Sequence, residues 1–491
     1  MTDINQGNDQ YNASRPNWEL VRDLVQGESA MKNHDLDQAG KTRVQSVQNI
    51  NNFKLNELYL PMPDANNCDA NNLLRYCQYV QRASLFGATS RTEQGMAGMV
   101  YSKPAEVELP GSVEYLDDDA DGSDVGIIQQ STEVLNDILE TGREGLLVDY
   151  PSTNGETTQS EMEEQGIRAS IIVYKAESIL DWMCERRGAK SVLTMVKLKE
   201  VVETRNESFT VEKSERIRIL YINDQGNYEI KLFDDAEDST QFTIIRPVDA
   251  SQQPLKAIPF FFIGAINNRP NVDKAPLLTL AEVNLAHYRN SADQEESSFI
   301  TGQPTIWVTG LNSAWAKEFM QDGIGMGART GLLGPEGSAF GILQPDPNTM
   351  PAEGMTRKEK QMVELGARLI QPGGAAQTAE AARIKHGSDA SVMTVIVNNI
   401  QQAYNDAIAV VMQFNTTAEQ EYTFKLNNDF FEGKLTAQEL AELVRSWQAG
   451  AISKAVLDQN LKCGGVIDED VDLEEMNEEI NQGATGVDFT E

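Results

Sequence analysis

Two helical stripes that frame a glycine-rich insert constrain this chain more than any other feature. After Pro276, residues Leu278, Ala281, Leu285, Tyr288, Ala292 and Phe299 recur at steps of three and four, which puts them on one helix face. Glu295 falls on the same stripe and interrupts it. About 22 such residues make a rod of roughly 33 Å. Residues 301–352 are different in kind. Glycine and proline are frequent, Thr305–Val308 reads as a short strand, and Ala314–Met320 reads as a short helix. Helical pattern returns over 353–370 and stops at Gln371, Pro372, Gly373 and Gly374, a breaker sequence. A further helical pattern runs from Thr378 to Phe414, with Val392, Ile396, Ile400, Ala403, Ala407, Val411 and Phe414 as its stripe. Gly387 interrupts it and is the expected kink.

The flanking segments make the chain α+β. Residues 1–110 read mainly as helices and loops, with a helix over Asn72–Phe86 and a strand-like piece at Met99–Tyr101. A helix over Ile127–Glu140 ends at Gly142, and Gly145–Tyr150 is an apolar run short enough for a buried strand. The β-rich part is 168–262. Within it, Ile217–Ile222 and Tyr228–Phe233 alternate around a turn of Asn and Gly, which is a hairpin signal. Ser191–Val202 is a further β-branched run. In the tail, Thr436 and Glu439 have the spacing of a capping box, Gly450 ends that helix, and Ser453 is placed to cap the next. Leu440, Leu443 and Trp447 are the expected core face there.

Length and charge bound the function. A chain of 491 residues exceeds one ordinary domain. With 41 basic and 75 acidic residues, its formal charge is −34. A surface of this balance repels phosphate and cannot coat nucleic acid through a general basic face. The longest apolar runs are too short for a bilayer, and MTDINQGNDQ does not read as a signal peptide. Cys68, Cys77, Cys184 and Cys463 form no C-x-x-C pair, and His34, His287 and His386 are the only histidines. No zinc site and no cofactor are expected, and scattered free thiols suit a reducing cytoplasm.

Each short motif has a plain alternative. Gly40-Lys41-Thr42 resembles the end of a phosphate-binding loop, but Asp35 stands where the first glycine is needed. Its plain reading is an exposed loop. Asp117, Asp119, Asp121 and Gly122 match half of a calcium loop, yet Ile128 stands at the twelfth position, where a bidentate glutamate belongs. That leaves an acidic turn. Gly323, Gly325 and Gly327 follow no convincing strand, so a dinucleotide site is not supported. There is no G-x-S-x-G. Helices at 437–449 and 454–461 have the outline of a DNA-reading pair, but only Arg445, Lys454 and Lys462 could face phosphates beside an acidic tail. An enzyme is not expected.

The two framing helices differ in charge. The first carries Glu282, Asp293, Glu295 and Glu296 against Arg289. The second carries Arg357, Lys358, Lys360 and Arg368 against Glu353, Glu359 and Glu364. Helices of opposite bias can pair within one chain or between neighbouring copies. They can equally be two solvated faces.

The sequence from Pro276 to Gly310, with its ITGQP exit, resembles portal proteins of tailed double-stranded-DNA bacteriophages. Supporting pieces follow in order: Tyr59-Leu-Pro-Met62, Ala88-Thr-Ser-Arg91, Gly98-Met-Val100 with Lys103-Pro104, Thr141–Asp149, Thr378-Ala-Glu-Ala-Ala-Arg383, and Leu435–Leu440 with Trp447–Ser453. The acidic, polar stretches 152–165 and 464–491 have no counterpart in it. The resemblance implies the portal fold and a ring of twelve subunits at one capsid vertex, a DNA conduit for packaging and ejection. It implies a wing at 1–277, stem helices at 278–300 and 353–370, and a clip at 301–352. It also implies a tunnel loop at 371–377, a kinked helix and wing return at 378–432, and a crown at 433–491. Implied partners are the terminase large subunit, the major capsid and scaffold proteins, neck and tail adaptors, and double-stranded DNA in transit. The implied location is the virion, after assembly in the host cytoplasm. The rival readings are another head–tail connector ring and an acidic nucleotide-handling enzyme using Gly40–Thr42.

Overall fold

The structure is a computed structural model. It describes residues 4–33, 59–64, 66–67, 69–150, 167–205, 209–234, 241–303, 305–311, 313–319, 334–343, 348–370, 392–415, 420–428, 430, 437–448, 451–463 and 476. Gly40–Thr42, the Gly323–Gly327 run, Gln371–Gly374, Gly387 and the Thr436 cap lie outside the described residues, as do 152–165 and nearly all of 464–491. The chain divides into two compact units, Met1–Leu426 and Asn427–Glu491.

The first unit is built on a buried strand. Helix α5 (Ile127–Thr141) ends where Gly142 turns left-handed at φ +77°, its N–H bonded to the Ile138 carbonyl at 2.8 Å. A Cβ at Gly142 would stand 2.6 Å from the Asp273 carbonyl, so only glycine fits the turn. Strand β2 (Arg143–Asp149) follows at once. It is the middle of a three-stranded antiparallel sheet between β3 (Ser170–Lys175) and β9 (Phe260–Gly264). Buried on both faces, it reads as the continuous apolar run expected at 145–150.

A second sheet is a five-stranded antiparallel meander: β4 (Ile179–Arg187), β5 (Lys190–Arg205), β6 (Val211–Ile222), β7 (Tyr228–Phe233) and β8 (Thr243–Ile245). The expected hairpin is β6–β7, in the register Ile222↔Tyr228. The Asn223 side chain accepts from the backbone N–H groups of Gln225 and Asn227, which closes the turn. Leu147, Ile179, Val196, Leu198, Leu220, Tyr228, Phe260 and Phe262 form one apolar core that joins the two sheets.

Helices cover this framework. In α1 (Asp9–Gln26), Asn8 caps the Tyr11 N–H at 2.9 Å. Trp18 is buried and donates to the Thr141 carbonyl at 2.8 Å. Helix α2 (Glu28–Asn33) continues the path. Helices α3 (Ala70–Arg82) and α4 (Ala88–Val100) follow. The strand expected at Met99–Tyr101 is not there: α4 runs through Val100 and Tyr101 is its C-cap. The apolar pair Met99 and Val100 belongs to the helix because Met96 and Val100 share its buried face, four residues apart.

Helices α6 (Leu278–Thr301) and α8 (Met350–Ile370) are the two framing helices, within three residues of the expected bounds. Between them lie β10 (Thr305–Thr309), α7 (Ser313–Phe319) and β11 (Ala339–Leu343). Helix α9 (Val392–Asn415) buries Ile396, Ile400, Ala403, Ala407, Val411 and Phe414, the expected stripe, while Val392 stays exposed. It packs on β2, β9 and α5. A short ladder of β1 (Glu106–Glu108) and β12 (Thr423–Lys425) completes the unit.

The second unit holds α10 (Ala437–Gln448) and α11 (Lys454–Cys463). Ser453 Oγ accepts from the Val456 N–H, as its position predicts. Of the expected core face, Leu440 and Leu443 are half-buried and Trp447 is exposed, while among the described residues of this unit Leu457 is the buried apolar one.

Candidate functional site

The hairpin of α6 and α8 is the candidate site. The two helices pack along their lengths, and Met362 is buried. A Cβ at Gly354 would stand 2.5 Å from Asn290 Nδ2, so the backbones approach closely there. Across the pair, His287 Nε2 lies 3.3 Å from Glu359 Oε1.

The buried face of α6 is rotated from the stripe read in the sequence. It holds Leu278, Ala281, Tyr288 and Ala292 as expected, but also Asn284, His287 and Ser291. Phe299 is exposed. Asn284, His287 and Ser291 each have at least one partner the periodicity could not supply, while Asn284 Oδ1, His287 Nδ1 and Tyr288 Oη are buried without one. Asn284 Nδ2 donates to Thr89 Oγ1 at 2.9 Å, and Ser291 Oγ donates to the Ser84 carbonyl at 2.7 Å. The partners sit on α4 and on the segment before it, so α6 is bonded to that part of the unit. Tyr79 Oη donates to Asp293 Oδ1 at 2.8 Å, and Arg289 Nε donates to the Tyr59 carbonyl at 2.8 Å.

The opposite charge bias of the two helices is not resolved by Glu296. It pairs with Arg82 and, at 3.5 Å, with Arg75, both on α3. Arg82 also lies 4.1 Å from the Phe299 ring centroid. Glu295 is exposed. On α8, Arg357, Lys360 and Glu364 are exposed, and Lys358 and Glu359 are half-buried. Burial, helped by the neighbouring Arg357 charge, lowers the Lys358 pKa, while Asp293 across the hairpin opposes the shift. Arg357 and Lys360 line a shallow hollow of about 440 Å³ with Thr349 and Thr356. The Arg368 backbone is helical.

The insert closes the far end with a two-stranded antiparallel ribbon, Thr305↔Leu343 to Thr309↔Ala339. Gly341 faces Trp307, and a Cβ there would stand 2.4 Å from the indole. Trp307, Phe340, Ile342 and Leu343 are all exposed, so both faces of the ribbon present large apolar groups.

The calcium half-loop is self-satisfied. Asp119 Oδ1 accepts from the Gly122 and Asp124 N–H groups at 2.7 and 3.1 Å, and Oδ2 pairs with Arg168. Among the described residues no group of His, Cys, Asp and Glu has metal-holding geometry.

Residues 276–415 match the family DUF4055, described as a domain of unknown function. The match spans α6, the insert, α8 and α9, so the family's segment is the hairpin and the helix after it. Among curated proteins nothing matches. Two solved structures are similar over most of the chain. One is a chain of the virion of a native gene transfer agent particle, at 12% identity and TM-score 0.39, covering 76% of this chain and 89% of that one. The other is a chain of the neck of an empty gene transfer agent particle computed with C6 symmetry. Its identity is 13% and its TM-score 0.38, with coverage of 77% and 90%.

Proposed function

We propose that this protein is a portal subunit of a tailed-phage-like particle, a structural component that assembles into a ring around a DNA conduit. The observation that carries the reading is the hairpin. Two long helices pack side by side, the first is bonded into α3 and α4 by Asn284, Ser291, Asp293 and Glu296, and their far end holds a small apolar ribbon. This is the helix–clip–helix order of the portal resemblance. An isolated two-stranded ribbon is marginal in water. One with exposed Trp307, Phe340, Ile342 and Leu343 gains stability only against further protein. In this reading it is the clip, facing neighbouring copies, a terminase motor and later neck proteins. Gln371–Gly374 would form the tunnel loop and Gly387 the kink.

The charge suits a conduit. A chain of formal charge −34 makes few phosphate contacts, so DNA passes without the counterion release that makes binding tight. Energy for packaging would come from a separate motor protein.

Negative-stain imaging of the purified protein tests the proposal. Ring-shaped particles with a central opening, near twelve-fold, are expected. Monomers alone across low and high salt, by imaging and by light scattering, would remove it. A connector ring of another kind would show rings that fail to bind terminase in pull-down.

A further inference from the structure

Where α1 packs on α4 and α5, five carboxylates gather around two cations. Glu93 comes from α4, Asp137 and Glu140 from α5, Glu144 from β2, and Glu177 from the 3-10 turn Ala176–Ser178. The cations are Arg22 of α1 and Lys175 of β3. Arg22 is the hub. Its Nη1 lies 2.6 Å from both Asp137 Oδ1 and Glu140 Oε2, and its Nε pairs with Glu177. Lys175 Nζ reaches Asp137 at 3.4 Å. Both cations are thus taken up by Asp137, Glu140 and Glu177.

Glu93 and Glu144 are the surplus acids. Glu144 is fully buried, and neither of its carboxyl oxygens has a hydrogen-bond partner. It stands opposite Lys175 in the β2–β3 ladder, so the two share the sheet face to which Asp137 turns. Arg143, one residue away, lies on the other face of β2. Glu93 is buried and hydrogen-bonded to Glu140, carboxyl to carboxyl. Two ions cannot make that bond, so a proton lies between them. Five acids against two bases leave three uncompensated negative charges when all are ionised, and one when Glu93 and Glu144 hold protons. The other titratable groups at the cluster carry no charge into it. Tyr404 of α9, in the field of Glu144, donates to Gln130 at 3.1 Å, and Tyr11 donates to the Glu177 carbonyl at 3.0 Å. Arg15 and Glu19 of α1 pair with each other at 2.8 Å.

We propose that this cluster is a proton-held latch: one proton shared by Glu93 and Glu140 and one on Glu144 keep α1 closed over the junction of α5 and β2, and their loss releases α1 before the sheets unfold. Burial pushes the Glu144 carboxyl well above its ordinary range, and burial with the neighbouring Glu140 pushes Glu93 up to about 8. The closed state keeps protons that the open state gives up, so rising pH favours opening. The yielding side is α1. Apart from Arg22, it is tied down by single hydrogen bonds from Asn8 to the Leu180 carbonyl, Tyr11 to that of Glu177 and Trp18 to that of Thr141. β2 is bonded along both edges, to β3 and to β9. A segment with fewer bonds opens first.

Hydrogen exchange on the full chain, corrected for intrinsic rates, tests the latch between about pH 5 and 8. Protection of the α1 amides should lie below that of β2 at each pH. It should fall by up to about tenfold per pH unit for each proton released. Glu93→Gln with Glu144→Gln keeps the shape of the protonated acids and should make α1 protection independent of pH. The unaltered protein gives a second readout: at neutral pH the infrared band of a protonated carboxylic acid should be present in the folded chain and vanish on unfolding. Absence of that band overturns the proposal whether or not the double variant folds. So does α1 protection that is flat with pH, or that equals β2 throughout, since α1 then opens only in global unfolding. A slope that survives in the folded double variant also overturns it.

Discussion

Arg143 lays its guanidinium 3.7 Å from the ring centroid of Trp182, with the Phe262 ring at 4.8 Å. It is buried, and none of its three nitrogens has a hydrogen-bond partner. The aromatic faces replace water only in part. Burial pushes its pKa down to about 9. An unpaired buried cation is replaceable by a similar apolar shape. Arg143→Met should raise stability by about 1–3 kcal/mol at neutral pH, by urea denaturation. The folded pKa is below the unfolded one, so the wild type regains stability only as pH rises above about 9. The gap between the two proteins should narrow there. A constant gap up to pH 10.5 would show that the charge is not the cause.

Glu93 behaves in the opposite sense. Burial first, then the neighbouring Glu140 and Asp137, push its pKa up to about 8 against the pull of Arg22. Arg22 Nη1 is already held 2.6 Å from both Asp137 and Glu140. A raised acid pKa means the folded chain keeps a proton the unfolded chain has released. Stability should therefore fall as pH rises from about 4.5 toward 8, by at most about 1.4 kcal/mol per unit. Glu93→Gln should flatten that slope in urea midpoints between pH 5 and 9. An unchanged slope would assign it elsewhere.

Arg82 joins α3 to the end of α6 through Glu296 and the Phe299 ring. Arg82→Ala should cost about 1–3 kcal/mol, since a partly buried charged hydrogen bond and a stacked ring are lost together. Arg82→Lys keeps the charge but not the planar fork, and should recover only part of it. Thermal melts of the three proteins decide this.

Gly341 lets the Trp307 indole lie against the β11 backbone. Gly341→Val should displace the indole and loosen the ribbon while leaving the sheets intact. Hydrogen exchange should rise over 305–309 and 339–343, and the main melting transition should not move. A global loss of stability would mean the ribbon is part of the main core.

Gly142→Ala tests the junction of α5 and β2. At φ +77° and with the Asp273 carbonyl in the way, the new methyl forces the turn open. The expected loss is about 2–4 kcal/mol, well beyond the roughly 1 kcal/mol of a merely left-handed alanine. A loss near 1 kcal/mol would mean that the 273–275 segment moves aside.

The helix–insert–helix order, the α9 stripe and the β6–β7 hairpin were determined by the sequence alone. Each depends on contacts within a few residues: apolar groups three or four apart, or the Asn223 side chain folding onto its own turn. The tertiary structure decided which neighbour each face meets. It turned the buried face of α6 onto Asn284, His287 and Ser291, because Thr89, Ser84 and Glu359 came from elsewhere in the chain to bond them. It drew Glu296 to α3 rather than α8, filled the Asp119 turn with Arg168, and left Trp447 in solvent. It also made β9 an edge and β5–β6 a projection, since a strand's spacing says nothing of how many neighbours it will have. Periodicity fixes an element because the backbone repeats. A surface is fixed only when distant segments converge, and their meeting is encoded in no single stretch of the chain.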